Sequence, residues 1–525
     1  MVAGARTFSL EETFLSPQIL NPPPTRHALL TFLLALTAVL HIGTAAWGDL
    51  YDGAEGHLAG GARELLDSKQ WLLPTNNGAP LLETPPFAFW TVALSCKIFG
   101  GSAAAARLPI ALAMLGSVGL TFLIGERLAG YWRGFAAGLI QLCSAGAFLP
   151  GRMVTPDAIF SLFIAAAIYC AVRGYQHRNF RRAWFAGFWL AASLASLTKG
   201  PSALFYLGAI FGGLSIFFRE ARLRFRPLLH WMNVALFLLL VVPWYVWAHR
   251  NFPGFLAYFF EWDDPANLQR GRFLLWHFAW WFPAIFFILP ALILVPRKIF
   301  RPGETTFADA LPLAWLAVGL LWPLLPGERQ VFSSLAAAAG FALFAAVAWE
   351  RSSRNLHFCG IALALLVGVA IGAVTYFRPA IAAVVLERPI NESAGTSFAP
   401  LVAIAVGSLV IFFVGALLIM KQPAEVILVV ALVAMVPIGF CLVEGRSRAA
   451  PFFSLADAAQ MLNPRLTRGG EVVYEGSLRD GTSMSFYLQK KFFLVNQTPA
   501  FFERGTASGN KYVDEHFLLE AWDGS

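Results

Sequence analysis

Charge is what this sequence has least of. Only 13% of its 525 residues are Asp, Glu, Lys or Arg, about half the share of an ordinary soluble domain. With 58% of residues hydrophobic, such a chain cannot cover itself with polar surface in water. Cysteine is scarce as well. Cys96, Cys143, Cys170, Cys359 and Cys441 stand at no metal or disulfide spacing and read as small core residues. The sequence has no glycine loop to cradle a phosphate and no dinucleotide fingerprint, so no cofactor is expected. A divalent metal held by Glu83 or His57 has no support at this level. Ionisable residues are nearly missing from the interiors of the apolar runs, where a pump or carrier needs them. The formal charge of +8 is split into short clusters between those runs, and this argues against a nucleic-acid partner.

What the chain does have is long apolar runs. Bounded by Arg, Lys, Pro or Gly, they cover 27–47, 107–128, 134–150, 157–173, 183–198, 201–218, 229–248, 273–295, 308–325, 331–349, 356–377, 398–420 and 425–443. Since about twenty apolar residues cross the hydrocarbon core of a bilayer, these predict about thirteen spans. Phe87 to Phe99 is too short to span and is expected to lie along the interface. The fold class is an all-α polytopic membrane protein with a small α/β appendage after the last span.

Basic clusters at Arg127 and Arg133, Arg173 to Arg182, Arg219 to Arg226, Arg297 to Arg301, and Arg351 with Arg354 fall in alternate loops. The positive-inside rule puts them on the cytoplasmic side, together with the segment 1–26. The membrane domain is then 27–443, with a first outer loop at 48–106, and 444–525 forms a small extracytoplasmic region. Within that region Glu471-Val-Val-Tyr474 and Ser485-Phe-Tyr487 alternate like strands. The expected location is a bacterial cytoplasmic membrane.

Acids gather on the outer side. Tyr51, Asp52, Glu55 and His57 follow the first span, and Asp157 in Thr155-Pro156-Asp157 opens another, with Thr155 expected as the N-cap. Carboxylates at a low-dielectric boundary suit a general base, although a solvated acidic loop and a plain helix start explain the same residues. The outward cations Arg107, Arg152, Lys199, Arg270, Arg272 and Arg329 fit a phosphate held at headgroup depth, and each also fits a snorkelling side chain. Trp244, Trp247, Trp276, Trp280 and Trp281 read as an interfacial aromatic belt.

Four ordered stretches carry a resemblance: Tyr51-Asp-Gly-Ala-Glu-Gly-His-Leu-Ala59 with Ala62-Arg-Glu64; Trp71-Leu-Leu-Pro-Thr-Asn-Asn-Gly78 running to Leu82-Glu-Thr-Pro-Pro86; Gly151-Arg-Met-Val-Thr-Pro-Asp157; and Leu197-Thr-Lys-Gly-Pro201. Together they resemble the C-superfamily membrane glycosyltransferases, in the branch of protein mannosyltransferases and lipid A aminoarabinose transferases. The resemblance implies inverting transfer of a sugar from a polyprenyl-phosphate donor to a lipid, glycan or protein acceptor. It places the general base on Asp52 or Glu55, a second acid on Asp157, and substrate contacts along the loop that carries Tyr51, His57, Glu83 and Arg107. The phosphate is expected on Arg152, Lys199, Arg270, Arg272 and Arg329. Two departures stand out: Ala54-Glu55 replaces an Asp-Glu pair, and Thr84 replaces a lysine before Pro85-Pro86. The rival readings are a carrier of lipid-linked sugars, and a scaffold that binds a partner through its tail.

Overall fold

The computed structural model describes residues 24–82, 84–177, 179–252, 255, 280–294, 306–321, 335–377, 392–466, 470–476, 478–488 and 490–495. The expectations placed on 1–23, Glu83, Arg270, Arg272 and Arg329 lie outside these residues.

The described chain is mostly helical. It runs α1 (Arg26–His41), α2 (Ala54–Ser68), a hairpin of β1 (Thr75–Asn76) and β2 (Ala79–Pro80), then α3 (Phe87–Phe99), α4 (Ala103–Ala129), α5 (Tyr131–Cys143) and α6 (Ala145–Phe148). Next come α7 (Asp157–Gln176), α8 (Arg181–Lys199), α9 (Ser202–Phe217), α10 (Arg219–Phe225) and α11 (Trp231–Asn251). After these stand α12 (Ala284–Leu294), α13 (Phe307–Leu321), α14 (Ala338–Arg351), α15 (Arg354–Phe377), α16 (Glu392–Leu418), α17 (Ala424–Val433) and α18 (Met435–Phe453). The tail holds α19 (Ala456–Leu466), β3 (Val473–Glu475), α20 (Thr482–Tyr487) and β4 (Phe493–Val495), with β3 and β4 paired in parallel.

Among the described residues six helices are long and apolar enough to cross a bilayer, α17 and α18 counting as one run from Ala424 to Phe453. The pair α5 and α6, bent by 72°, would make a seventh. Large apolar side chains such as Leu239, Phe377 and Leu418 point outward from spanning helices, which only a lipid solvent makes cheap. Inside, Phe122, Phe135, Ile164, Phe185 and Trp315 belong to one continuous apolar core. Helices α4 and α5 approach closely at Gly125 and Gly134; a Cβ on Gly125 would stand 2.7 Å from the Gly134 Cα.

Three expectations are corrected. The run 134–150 is not one helix: Ser144 is extended (φ −83°, ψ 129°), and the Ala145 amide donates to the Phe282 carbonyl at 3.2 Å instead of continuing the helical ladder. The last span does not end at Val443 but carries its helix to Phe453. Ser485-Phe-Tyr487 is helical in α20, because 482–486 are buried on every side, not on alternate ones.

Ion pairs sort the helix ends into two poles. Arg26 at the start of α1 pairs with Glu126 near the end of α4; the Arg133 and Glu350 side chains meet at 2.7 Å, and those of Arg351 and Asp309 at 2.8 Å. The ends of α4 and α7 are tied by Gln176 Nε2 donating to the Arg127 carbonyl at 2.7 Å. The first loop gathers at the other pole, with the mouths of α4, α7, α8 and α18.

The α4–α5 crossing gives a test. Gly134→Val puts methyl groups against the Phe122 carbonyl and the Glu126 amide and is expected to cost roughly 1–3 kcal/mol, read as a lower thermal unfolding midpoint in detergent. An unchanged midpoint would refute the close crossing.

Candidate active site

The site starts at a turn. Gly53 takes φ +77°, a conformation glycine adopts without penalty. There the chain turns into α2, whose second residue is Glu55. Its side chain is 1% exposed, and a carboxylate so placed is stable only if its oxygens are supplied with donors and countercharge.

Both oxygens are supplied. Oε1 accepts the Val154 amide at 3.1 Å and lies 3.8 Å from the Arg107 Nε. Oε2 accepts the Tyr51 amide at 3.0 Å and bonds an Nη2 hydrogen of Arg446. Burial by itself raises the carboxyl's proton affinity, but Arg446, Arg107 and the two amides outweigh it, so the Glu55 pKa falls below its usual range. Glu64, ten residues from the helix start, takes the opposite course. It accepts from Thr75 Oγ1 at 2.6 Å and from the Asn77 and Gly78 amides, yet burial dominates and raises its pKa.

The cations expected to meet phosphate are partly engaged in holding protein. Arg107, 2% exposed, donates to the carbonyls of Ala45, Trp47, Gly48 and Asp49 over 2.6–3.1 Å. Arg152 donates to Thr44 Oγ1 at 3.0 Å, to the Thr44 carbonyl, and to the Trp47 carbonyl at 3.2 Å. The two guanidinium groups thus clamp the chain as it leaves α1. Arg446, unforeseen from the sequence, has its guanidinium carbon 3.8 Å from the centre of the Tyr51 ring, while the Tyr51 hydroxyl donates to the Arg446 carbonyl at 2.6 Å. That ring stacks on Phe453 at 5.1 Å, and burial pushes its hydroxyl pKa up to about 12. The available signal was Glu444-Gly-Arg446-Ser-Arg448, which follows the last apolar run. It lay beyond the boundary drawn at Val443.

Asp52 is half-buried at the same turn. Its Oδ1 accepts the Ser483 amide at 2.9 Å, and its own amide donates to the Phe453 carbonyl at 2.7 Å. His57, on the first turn of α2, faces Phe89 at 6.4 Å. Asp157 pairs with Lys199 at 2.9 Å, tying the start of α7 to the end of α8. Asp157 Oδ2 and Thr155 Oγ1 are buried and have no partner among the described residues. Thr155 is therefore not the cap of α7: the helix begins after Pro156, whose φ of −67° is already helical. Buried polar atoms left open in this way mark places where water or a ligand bonds. Among the described residues, no three His, Cys, Asp or Glu side chains converge to hold a metal.

The expected residues that fall within the described chain, among them Asp52, Glu55, Arg107, Arg152, Asp157 and Lys199, lie at one pole. Val154 and Arg152 bring the Thr-Pro-Asp turn to Glu55 and the α1 exit, with Asp157 at its end. Two guanidinium groups, those of Arg107 and Arg446, lower the proton affinity of the buried Glu55 carboxylate, and that of Arg152 lies within reach of its field. Asp49 and Asp52 lie at the same turn and Asp157 pairs with Lys199, so cations and carboxylates are interleaved at these helix mouths.

Comparison with known proteins bears on the fold and on the relatives of this chain. The family described as dolichyl-phosphate-mannose-protein mannosyltransferase matches residues 83–247. The undecaprenyl phosphate-alpha-4-amino-4-deoxy-L-arabinose arabinosyl transferase 1 of Pseudomonas fluorescens is 27% identical over 338 residues, 60% of this chain and 58% of that protein. An uncharacterized protein of Aquifex aeolicus is 30% identical over 174 residues, 33% of this chain and 34% of its own length. The chain therefore spans between a third and six tenths of these two relatives. The crystal structure of ArnT from Cupriavidus metallidurans bound to undecaprenyl phosphate superposes with a TM-score of 0.79 at 20% identity, covering 92% of this chain and 88% of that one. Its apo form gives 0.78. The likeness establishes a shared fold.

Two tests follow. Arg446→Ala leaves the Glu55 charge short of a partner and is expected to cost about 3–5 kcal/mol, seen as a lower unfolding midpoint that Arg446→Ala with Glu55→Gln partly restores. Equal midpoints for wild type and Arg446→Ala would dismiss the pair. The second test is acid titration. Because the folded pKa of Glu55 is lowered, its stabilisation is complete above the ordinary value of 4.5 and is lost as pH falls through the folded value. The raised pKa of Glu64 has the opposite sign. Glu55→Gln should therefore flatten the fall in stability below pH 4.5, and an unchanged fall would contradict it.

Proposed function

We propose that this chain, a relative of the C-superfamily membrane glycosyltransferases that unite protein mannosyltransferases and aminoarabinose transferases, moves a sugar from a polyprenyl-phosphate donor to an acceptor hydroxyl or amine. The observation that carries the reading is that the half-buried carboxylate of Asp52 lies at the same helix mouths as the Lys199–Asp157 pair, beside a loop held in place by Arg107, Arg152 and Arg446. A phosphate of a lipid-linked sugar, lying at headgroup depth, meets cations there, and an acceptor meets a base. The undecaprenyl phosphate named with the ArnT structure fits the same chemistry.

Asp52 is the residue we assign as base. Glu55 has its oxygens filled and its proton affinity depressed, so it serves the site by ordering Tyr51, Val154, Arg107 and Arg446. The Asp52 carboxylate takes the acceptor proton as the acceptor attacks the anomeric carbon. The bond from that carbon to the phosphate oxygen breaks in line, with inversion, and the electron pair leaves on the polyprenyl phosphate. Arg107 and Arg152 are committed to the loop, and Thr84 offers no charge, so the phosphate role falls to Lys199, with Arg270, Arg272 and Arg329 as further candidates. Asp157, through its open Oδ2, receives a hydroxyl or amino group of the bound sugar or acceptor. No metal or redox cofactor has a role in this scheme.

About thirteen spans, an N-terminus in the cytoplasm, and a site and tail on the outer face of a bacterial cytoplasmic membrane complete the proposal. The acceptor class is a lipid, glycan or protein, and the similarity to aminoarabinose transferases favours a lipid A-type glycolipid. Mass spectrometry of envelope glycolipids and glycoproteins tests it. Cells carrying Asp52→Asn should lose one hexose- or aminopentose-sized increment, with transfer by the purified chain falling at least about 100-fold at unchanged stability. Spectra identical to wild type from a folded, expressed variant would refute the assignment, and would leave a lipid-sugar carrier in its place.

A further inference from the structure

The tail reaches the proposed base. Ser483 follows the first residue of α20, and its amide is the donor to Asp52 Oδ1 at 2.9 Å. Around that bond the contacts are dense. Thr482 Oγ1 donates to the Gly53 carbonyl at 3.0 Å, Ser483 Oγ accepts the Leu455 amide at 2.8 Å, and the Tyr487 hydroxyl accepts the Leu50 amide at 2.9 Å. Further out, Asn77 exchanges two hydrogen bonds with the Phe492 backbone, at 2.8 and 3.0 Å. There is no slack between the surfaces. A Cβ on Gly56 would lie 2.5 Å from the Thr482 carbonyl carbon and 2.6 Å from its Oγ1, and one on Gly60 would lie 3.0 Å from the Ser485 Cβ. Glycine at 56 thus lets α20 sit against the first turn of α2, one residue from Glu55.

Resting on the assignment of Asp52 as base, we infer that the Ser483 amide is a positioning group for catalysis: it fixes the Asp52 carboxylate so that its lone pair faces the acceptor. An aspartate carboxylate is oriented by two side-chain torsions, and a fixed N–H on one oxygen restricts both. Arg107 and Arg152 hold the loop's backbone, while the tail sets the orientation of its reactive group. The chain beyond the last span is in this sense part of the active site.

The amide can be deleted selectively. Ser483→Pro removes the N–H at a first-turn position whose amide has no partner within the helix, whereas Ser483→Ala keeps the amide and loses only the hydroxyl bond to Leu455. A second route is Gly56→Ala, whose methyl group displaces the Thr482–Ser483 backbone from outside. The assay uses the full chain in lipid nanodiscs, with polyprenyl-phosphate hexose and polyprenyl-phosphate aminopentose as donor probes and envelope lipid as acceptor. Loss of a hydrogen bond to a charged group predicts that Ser483→Pro lowers kcat roughly tenfold or more beyond Ser483→Ala, with donor KM within about twofold. Gly56→Ala should show the same loss of kcat at constant KM. Equal kcat for Ser483→Pro and Ser483→Ala in folded protein overturns the inference, and so does a loss that appears in KM. A wild-type chain that transfers neither sugar overturns the parent reading, and this inference with it.

Discussion

Everything at the pole that gathers the first loop depends on one buried negative charge. Glu55 lies in a low-dielectric setting, where an uncompensated carboxylate is prohibitive, and its neighbours are the minimum that makes it tolerable: two amides and two guanidinium groups. Each donor belongs to a different part of the chain. Tyr51 comes from the first loop, Val154 from the turn before α7, Arg107 from α4 and Arg446 from α18. Satisfying one side chain therefore fixes four segments relative to one another. Buried ion pairs add little net stability, and the value of this one lies in registration.

Functional division of labour follows from the same constraint. A carboxylate buried and saturated with donors organises its surroundings and makes a poor base, whereas one at a half-buried turn is better placed to accept a proton. Asp52 and Glu55 are three residues apart and have these opposite characters. The cations divide likewise. Arg107 and Arg152 are absorbed by carbonyls at the exit of α1, while Lys199 stands at the mouth of α8 beside Asp157. Asp157 Oδ2 and Thr155 Oγ1, without a partner among the described residues, give that corner hydrogen-bonding capacity.

Much of this was legible in the sequence, for reasons that differ by residue. The membrane class follows from composition alone, and the acid cluster at Asp52 and Glu55 was visible because it is local. What charge counting does not reveal is a partner: Arg107 and Arg152 looked like ligand-binding cations, and their backbone acceptors emerge only in three dimensions. Arg446 escaped because apolar periodicity ends near Val443 while the helix runs on under tertiary packing to Phe453. The break at Ser144 had only Gly146 beside it as a local signal, and the competing acceptor that stabilises it, the Phe282 carbonyl, lies far along the chain. Ser485 to Tyr487 alternated like a strand, yet complete burial made helix the better solution.

The separation of Glu55 from its guanidinium partner, 391 residues along the chain, also bears on how the protein is made. During synthesis the first loop leaves the membrane long before the helix that neutralises its acid has been translated. Until that last helix inserts, Glu55 must stay hydrated or protonated, and the loop cannot take its final packing. Assembly of this pole is thus tied to synthesis of α18, so a nascent chain that stops short of it displays the loop without the contacts that order it.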